Sequence, residues 1–229
     1  MCTTESRDLL ILDVPVESRA AHARLLASTE ADAVTVGGLD VVLSADGTPS
    51  GVLVAADVLD GAVRLADRRG LPVRPDGDRA AAVVDGLTLG LVGPTRPYPA
   101  VPGAEITGMD HLVLSSPNRD RIIATLCGRL DFDLRLDRVQ SWGVHQLFFR
   151  RGDLLVEVVL AEGDDVDPSG PDALWGVAWR TADADATHRR LTDQGITVSE
   201  VRRGAKPGTR VATIKDPALG VPTIVLEQR

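Results

Sequence analysis

Short apolar runs followed by segments of helical periodicity recur along this chain of 229 residues. The clearest example begins at Asn118, a residue type that favours the start of a helix. Apolar residues after it recur at helical spacing: Ile122, Ile123, Leu126 and Leu130. Three strand-like runs come next, separated by turns that contain Gly or Asp: 132–139, 144–149 and 154–160. These periodicities predict a helix and three strands after an apolar strand that contains His111.

Two pairs of segments are internal repeats, each with its own constant offset. Residues 51–73 match residues 176–198, and residues 8–15 match residues 110–117. The chain therefore divides into four units that start near residues 8, 50, 109 and 174. The fourth unit is predicted to repeat the third, with a helix at 183–194 and strands at 196–201, 210–215 and 221–227. The first two units are shorter and are expected to have lost a strand or most of one.

A proline-rich segment separates two halves of the chain. Four prolines lie between Gly93 and Gly103, and proline fixes φ and removes a hydrogen-bond donor, so neither a helix nor a central strand is expected there. We predict a degenerate N-terminal half at 1–93, a linker at 94–106 and a C-terminal half at 107–229. Every Trp, Tyr and Phe lies at or after Tyr98, so the aromatic lining of a small-molecule pocket is expected in the second half.

Composition and charge narrow the function classes. The net charge of −8 argues against a nucleic-acid or anionic-membrane surface, because such surfaces need clustered cations. No apolar run approaches the roughly 20 residues that span a bilayer, and the first residues lack a signal-peptide layout, so we expect a cytoplasmic location. Cys2 and Cys127 are far apart, so neither a disulfide framework nor a thiolate metal site is expected. The one basic cluster, 201–210, is interpreted as a solvated hairpin or, alternatively, as an anion clamp at the mouth of a pocket.

A histidine and a glutamate interrupt apolar runs in the second half. His111 lies in Met-Asp-His-Leu-Val-Leu, and Glu157 lies in Leu-Leu-Val-Glu-Val-Val-Leu. A carboxylate in a buried strand costs several kcal/mol unless it is paired or binds a metal, so Glu157 is expected to find a partner or to face a cavity. His111 is the nearest candidate for the partner of Glu157. The alternatives are a core histidine bonded to the backbone and a glutamate satisfied by an arginine such as Arg150.

A βαβββ unit repeated in pairs, with His on the first strand and Glu on the last, resembles the vicinal oxygen chelate (VOC) superfamily. That superfamily includes glyoxalase I, extradiol dioxygenases, methylmalonyl-CoA epimerase, fosfomycin-resistance enzymes and bleomycin-binding proteins. The resemblance is clearest over residues 107–229 and weaker over residues 8–93. It implies an α+β fold of paired βαβββ modules that form curved mixed sheets, with two modules in each half, around a metal and a ligand.

The resemblance also implies a ligand set for a divalent metal ion. The family's first-strand His falls on His111 and its last-strand Glu falls on Glu157 and Glu227, whereas Gly176 occupies the remaining His position. One imidazole and two carboxylates suit Mn, Fe, Ni or Zn with open coordination positions. Such an ion would act as a Lewis acid on substrate oxygens, and either carboxylate could detach and serve as the base.

The first half lacks these side chains. Leu9 and Gly51 stand where the first-strand His residues would be. That half is therefore expected to be a scaffold that covers the second half or pairs two copies of the chain as a homodimer.

Several other side chains are candidates for the substrate site. His145 is interpreted as a strand residue that faces solvent, as a replacement for the missing metal ligand, or as an acid or base. The aromatic lining is expected from four residues, with core packing as the alternative for at least half of them: Trp142, Phe149, Trp175 and Trp179. Gly176 is expected to enlarge the pocket beside Trp175, and Arg210 with Lys206 is expected to bind an anionic group of the substrate.

Two functions are compatible with these residues. The leading hypothesis is a metal-dependent enzyme that acts on a small oxygenated organic molecule by proton transfer or bond cleavage, as an isomerase, lyase or dioxygenase-like enzyme. The alternative is a metal-free protein that binds or sequesters a drug or metabolite. Retention of His111, Glu157 and Glu227 favours the enzyme, and Gly176 favours the binding protein.

Overall fold

The computed structural model describes residues 4–28, 32–99, 104–163 and 165–228. The first module contains β1 (Asp8–Asp13), α1 (Arg19–Leu26), β2 (Ala33–Val36) and β3 (Leu39–Ser44). The second module contains β4 (Gly51–Ala55), α2 (Leu59–Arg68), β5 (Arg74–Asp76), β6 (Arg79–Val84) and β7 (Leu87–Val92). The second module thus keeps three strands after its helix, although β5 has only 3 residues. The first module has two such strands among the described residues.

The second half repeats the pattern with longer elements. The third module contains β8 (Ile106–Ser116), α3 (Arg119–Ile123), a π-helical turn (Ala124–Arg129), β9 (Asp133–Val139), β10 (His145–Arg151) and β11 (Leu154–Leu160). The fourth module contains β12 (Ala173–Thr181), α4 (Ala184–Asp193), β13 (Arg202–Arg203), β14 (Thr209–Ile214), a 3-10 turn (Pro217–Leu219) and β15 (Thr223–Gln228). Asn118 caps α3 as predicted, because its side chain accepts a hydrogen bond from the backbone N–H of Arg121 at 3.0 Å.

The strand predicted at 196–201 is largely irregular. Within it, Val198 forms an isolated bridge to Ile214. The backbone N–H of Thr213 donates to the Ser199 hydroxyl at 2.9 Å instead of to a backbone carbonyl. A side chain thus replaces part of the ladder, which is how Ser residues compete with regular strands.

The strands form two mixed sheets, one from each half of the chain. The first has the order β2-β3-β1-β4-β7-β6-β5, and the second has the order β13-β14-β15-β12-β8-β11-β10-β9. Antiparallel hairpins combine with the parallel pairs β4–β7, β8–β11 and β12–β15. This architecture confirms the predicted α+β fold of paired βαβββ modules. Among the described residues, no helix is long and apolar enough to cross a membrane.

The chain packs as two compact units that do not coincide with the two halves. The first unit combines Met1–Ile11, Pro49–Arg96 and Leu112–Trp175, and the second combines Leu12–Thr48, Pro97–His111 and Gly176–Arg229. Most of the second and third modules therefore belong to the first unit, and most of the first and fourth modules belong to the second. Cys2 and residues 100–103 of the predicted linker lie outside the described residues. The domain boundaries at 93 and 107 stay a prediction.

Contacts inside each unit join segments from both halves. In the first unit, the Asp172 N–H donates to the Asp85 carbonyl at 2.6 Å. In the second unit, the Arg190 guanidinium donates to the carbonyls of Arg24 and Leu25 at 2.6 and 3.1 Å. Each unit therefore depends on residues that are distant in sequence.

Candidate functional site

Glu157 lies on a half-buried face of its sheet. In β11, Val156 and Val158 are fully buried, whereas Glu157 between them points to the other side. The register pairs Glu157 with Phe148 of β10 and with Val113 of β8, so these side chains share one face. We call the surface formed by Val113, Gln146, Phe148 and Glu157 the Glu157 face.

A chain of amide groups orients the Glu157 carboxylate. The Gln140 Nε2 donates to Gln146 Oε1 at 2.6 Å, and the Gln146 Nε2 donates to Glu157 Oε1 at 2.6 Å. Arg150, considered as a partner on sequence grounds, instead donates from Nε to the Gly152 carbonyl at 2.8 Å. The carboxylate is thus held by a neutral donor that is itself held in place.

The opposite face of this part of the sheet carries Leu147 and Phe149 and is contacted by Arg119 of α3. Arg119 of α3 donates from Nε to Asp137 at 3.1 Å, and Asp137 is paired with Leu147. His145, two residues before Leu147, lies on the same face as Leu147 and contacts Asp137 at 2.6 Å and Glu162 at 2.8 Å. Hydrogen bonds to these carboxylates raise the pKa of His145 above its ordinary value. The structure therefore does not bring His145 to the Glu157 face.

The four predicted pocket aromatics divide into two groups. Phe149 and Trp179 are 0% and 1% exposed and pack in the core, as the alternative interpretation had it. Trp142, between β9 and β10, and Trp175, in β12, are 68% and 54% exposed. The aromatic residue on the Glu157 face is Phe148, which the sequence reasoning missed. Its only signal was the alternation of side chains along the strand, and the register was needed to select Phe148 over Phe149.

His111 lies in the second unit beside an acidic neighbour. Its Nδ1 is 2.9 Å from Asp110 Oδ2, and Asp110 Oδ1 is 3.8 Å from the Arg180 guanidinium. The hydrogen bond with His111 is the largest cause that lowers the pKa of Asp110 below its ordinary value. A carboxylate bonded to one ring nitrogen fixes the orientation of the imidazole.

Glu227 is turned toward α4. It is 6% exposed, and its Oε2 accepts a hydrogen bond from the Ala184 backbone N–H at 3.0 Å. The same oxygen is 3.3 Å from Arg210, whose guanidinium also donates two bonds of 2.8 Å to Asp185. Arg210, predicted to bind a substrate anion, is thus engaged by two carboxylates of its own chain. Glu227 completes the start of a helix, where a negative charge is favourable.

The register of β12 and β15 explains where Glu227 points. Ala178 pairs with Ile224 and Trp179 pairs with Val225, so Ile224 shares a face with Ala178 and Gly176. Glu227 is an odd number of residues from Ile224 and therefore lies on the opposite face. In the third module, Glu157 pairs with Val113, two residues after His111. The residue that pairs two positions after Gly176 is Ile224, so Ile224 is the counterpart of Glu157.

This geometry does not support the predicted metal ligand set. Within the described parts of the chain, no three His, Cys, Asp or Glu side chains form a group that could hold a metal ion. Gly176 and Ile224 offer no donor atoms, and Glu227 bonds to α4 and Arg210. The residues present therefore do not fit the divalent ion that the family resemblance implies, and the metal role of Glu227 finds no support here.

The sequence model of the Glyoxalase/Bleomycin resistance protein/Dioxygenase superfamily matches residues 110–213. This segment belongs to the VOC superfamily. The VOC segment includes His111 and Glu157 and ends before β15, so Ile224 and Glu227 lie outside the match. No curated protein matches the chain.

Solved structures share the VOC fold with the whole chain. A triple mutant of 4-hydroxymandelate synthase from Streptomyces coelicolor aligns over 99% of this chain and 93% of its own, with 11% identity and a TM-score of 0.68. A xylose isomerase-like TIM barrel/4-hydroxyphenylpyruvate dioxygenase fusion protein aligns over 100% of this chain and 50% of its own, with 14% identity and a TM-score of 0.68. Methylmalonyl-CoA epimerase from Mycobacterium tuberculosis aligns over 56% of this chain and 93% of its own, with 20% identity and a TM-score of 0.44. The first two similarities extend the fold through both halves.

Proposed function

We propose that this chain binds a small organic molecule on the Glu157 face without a three-ligand metal centre. The observation that carries the proposal is the register of β15, which puts Ile224 at the position that Glu157 holds in the third module. With Gly176 at the His position, the fourth module supplies no donor at either family position. Catalytic zinc sites have three protein ligands, and His111 and Glu157 alone fall short of that number.

The chemistry of the Glu157 face indicates the class of ligand. An ionised carboxylate accepts hydrogen bonds and attracts positive charge, and Gln146 holds one of its oxygens in place. Phe148, across the strand from Glu157, adds an aromatic surface. A compound with a cationic or amide group on an aromatic body would engage both side chains. We therefore expect cationic aromatic ligands to bind more tightly than anionic ones.

The metal-dependent enzyme is the second candidate, and the contact between His111 and Asp110 favours it. Metal-binding histidines commonly bond a carboxylate through the other ring nitrogen. In this candidate, His111 would be one ligand of the ion. A further ligand would have to come from somewhere other than Glu227.

Metal analysis of protein purified without an affinity tag separates the two candidates. For the binding protein, we expect no stoichiometric Mn, Fe, Ni or Zn, and no change in metal-induced thermal shift upon His111→Ala. The double substitution Gly176→His with Ile224→Glu restores the family donors and is expected to create zinc binding, measured by calorimetry. Gly176→Ala with Ile224→Leu is the matched control, because it changes the same two positions without adding a metal ligand. Stoichiometric metal that is lost upon His111→Ala would overturn the proposal.

Ligand binding tests the Glu157 face directly. A panel of cationic, neutral and anionic aromatic compounds is titrated by calorimetry, with Trp fluorescence as a second readout. Glu157→Gln is expected to weaken cationic ligands about tenfold or more, because a charge-assisted hydrogen bond is lost. Phe148→Ala is expected to weaken cationic and neutral ligands together, whereas Glu162→Gln, beside His145, should change nothing. Equal binding to the parent and to Glu157→Gln would contradict the proposal.

A further inference from the structure

The first unit contains a cavity that the VOC site does not use. It has a volume of about 290 Å³ and lies among the end of β4, helix α2 and the segment that follows the π-helical turn. Its apolar lining includes Val54, Leu91 and Leu130, and it also includes Leu65 and Val58, which are 39% and 70% exposed. The volume is close to the lower end of small-molecule pockets. An apolar surface of this kind, open to solvent, can accept the body of a ligand.

Three guanidinium groups line this cavity. They are Arg69, Arg129 and Arg151, and they face only two lining carboxylates, Asp57 and Asp131. The lining side chains alone carry one more positive than negative charge, and Asp8, 3.9 Å from Arg151, offsets part of this excess. A concave site of one sign concentrates ligands of the opposite sign.

The three arginines differ in how they are engaged. Arg69 is 3.2 Å from Asp131, and this ion pair is exposed. Arg151 donates to the Ala55 carbonyl at 3.1 Å and is 3.9 Å from Asp8. Arg129 has no hydrogen-bond or ion-pair partner among the residues that the structure describes. An incoming anion can therefore bond Arg129 without breaking an existing contact.

The backbone around Arg129 is irregular. Residues Ala124–Arg129 form a π-helical turn, and Asp131 has a φ of +66°. π-helical turns are rare and often occur at functional sites. A positive φ is uncommon for a residue other than glycine, and such positions cluster at ligand sites. The π-helical turn ends at Arg129 and the positive φ is at Asp131, so both irregular features adjoin the cavity residues Arg129 and Leu130.

We propose that this cavity binds an amphipathic anion, with its carboxylate or phosphate group on Arg129 and Arg151 and its short apolar body against Leu65 and Leu130. The site is separate from the Glu157 face. In β10, Arg151 has the parity of Leu147 and Phe149, so it lies on the face opposite Phe148. The proposal therefore does not depend on the proposed function of Glu157.

The test uses four eight-carbon probes that differ in their headgroup. Octanoate, octyl phosphate, octanol and octylamine are titrated into the full chain by calorimetry at low ionic strength. We expect at least one of the two anions to bind at least about tenfold more tightly than octanol and octylamine, and the stronger anion identifies the headgroup. Binding of both anions no tighter than that of octanol would show an apolar groove without an anion site and would overturn the proposal, as would the absence of binding by both anions.

Substitutions locate the site. Arg129→Ala is expected to weaken the bound anion about tenfold or more, and Arg129→Lys is expected to retain part of the affinity, because a charge remains without the planar fork. Arg68→Ala, an exposed residue of α2 that does not line the cavity, is the matched control. Ala62→Phe fills the space beside α2 and should block the anion while leaving far-UV circular dichroism unchanged. Unchanged affinity in both Arg129→Ala and Ala62→Phe would refute the site.

Discussion

Phe148 and Phe149 are consecutive residues of β10 that face opposite sides of the sheet. Phe149 is 0% exposed, whereas Phe148 is half-buried on the Glu157 face. We expect Phe149→Ala to lower the free energy of unfolding by about 3–5 kcal/mol, because it leaves a cavity in the core. Phe148→Ala should cost clearly less. Urea unfolding of the two variants measures the difference, and equal losses would contradict the face assignment.

Glu227 is a buried carboxylate with a structural role. Glu227→Ala removes the acceptor for the Ala184 N–H at the start of α4 and separates Arg210 from one of its two acidic partners. We expect the free energy of unfolding to fall by about 1–3 kcal/mol, because a buried hydrogen-bonding group loses its partner. Ligand affinity at the Glu157 face should stay at the parent value. Glu200→Ala, at an exposed position, serves as the control. A stable Glu227→Ala protein that no longer binds ligand would contradict the structural role and indicate that Glu227 belongs to the site.

His22 links helix α1 to the 3-10 turn Pro217–Leu219. Its Nε2 is 2.9 Å from the Leu219 carbonyl, and its Nδ1 is buried without a partner among the described residues. Burial is the largest cause that lowers the pKa of His22. The native protein therefore resists protonation of a ring that the unfolded chain protonates near pH 6.5.

The sign of the pH effect follows from this difference. Below about pH 6.5 the unfolded state binds more of the proton than the native state, whose His22 pKa is lower, so the contribution of His22 to stability falls as pH falls, by at most about 1.4 kcal/mol per pH unit. His22→Gln retains a donor for Leu219 but does not titrate. We expect urea unfolding between pH 7.5 and 5.5 to show a greater loss for the parent than for His22→Gln. His145 is present in both proteins, so parallel pH curves would be evidence against this account.

Local sequence signals explain which secondary-structure elements were predictable. Helix α3 has a cap at Asn118 and an apolar stripe, both of which are local signals, and both helix and cap are found. The short and irregular pairing at 198–203 was not predictable, because it depends on a hydrogen bond from Thr213 to the Ser199 hydroxyl across the sheet.

For the whole molecule, the two compact units are assembled across the linker. Asp85 and Asp172 in the first unit, and Leu25 and Arg190 in the second, come from opposite halves of the chain. We expect that cutting the chain at a protease site inserted within residues 100–103 leaves the two fragments associated, as measured by size-exclusion chromatography. An uncut sample is the control. Fragments that separate and remain folded on their own would contradict the interleaved units and would support independent halves.

The sequence alone predicts the repeat of four modules, the α+β class and the superfamily whose model matches residues 110–213, because hydrophobic periodicity and helix caps depend on neighbouring residues. It also singled out His111 and Glu157. Which strand residues share a face depends on the strand pairing, and the chain's local patterns do not specify it. A shift of one or three residues along a strand moves a side chain to the other side of the sheet, and the register that fixes this is set by pairing with distant strands. That is why Phe148 lies on the Glu157 face and Ile224 shares a face with Gly176, whereas Phe149 and Glu227 point to the opposite sides of their strands.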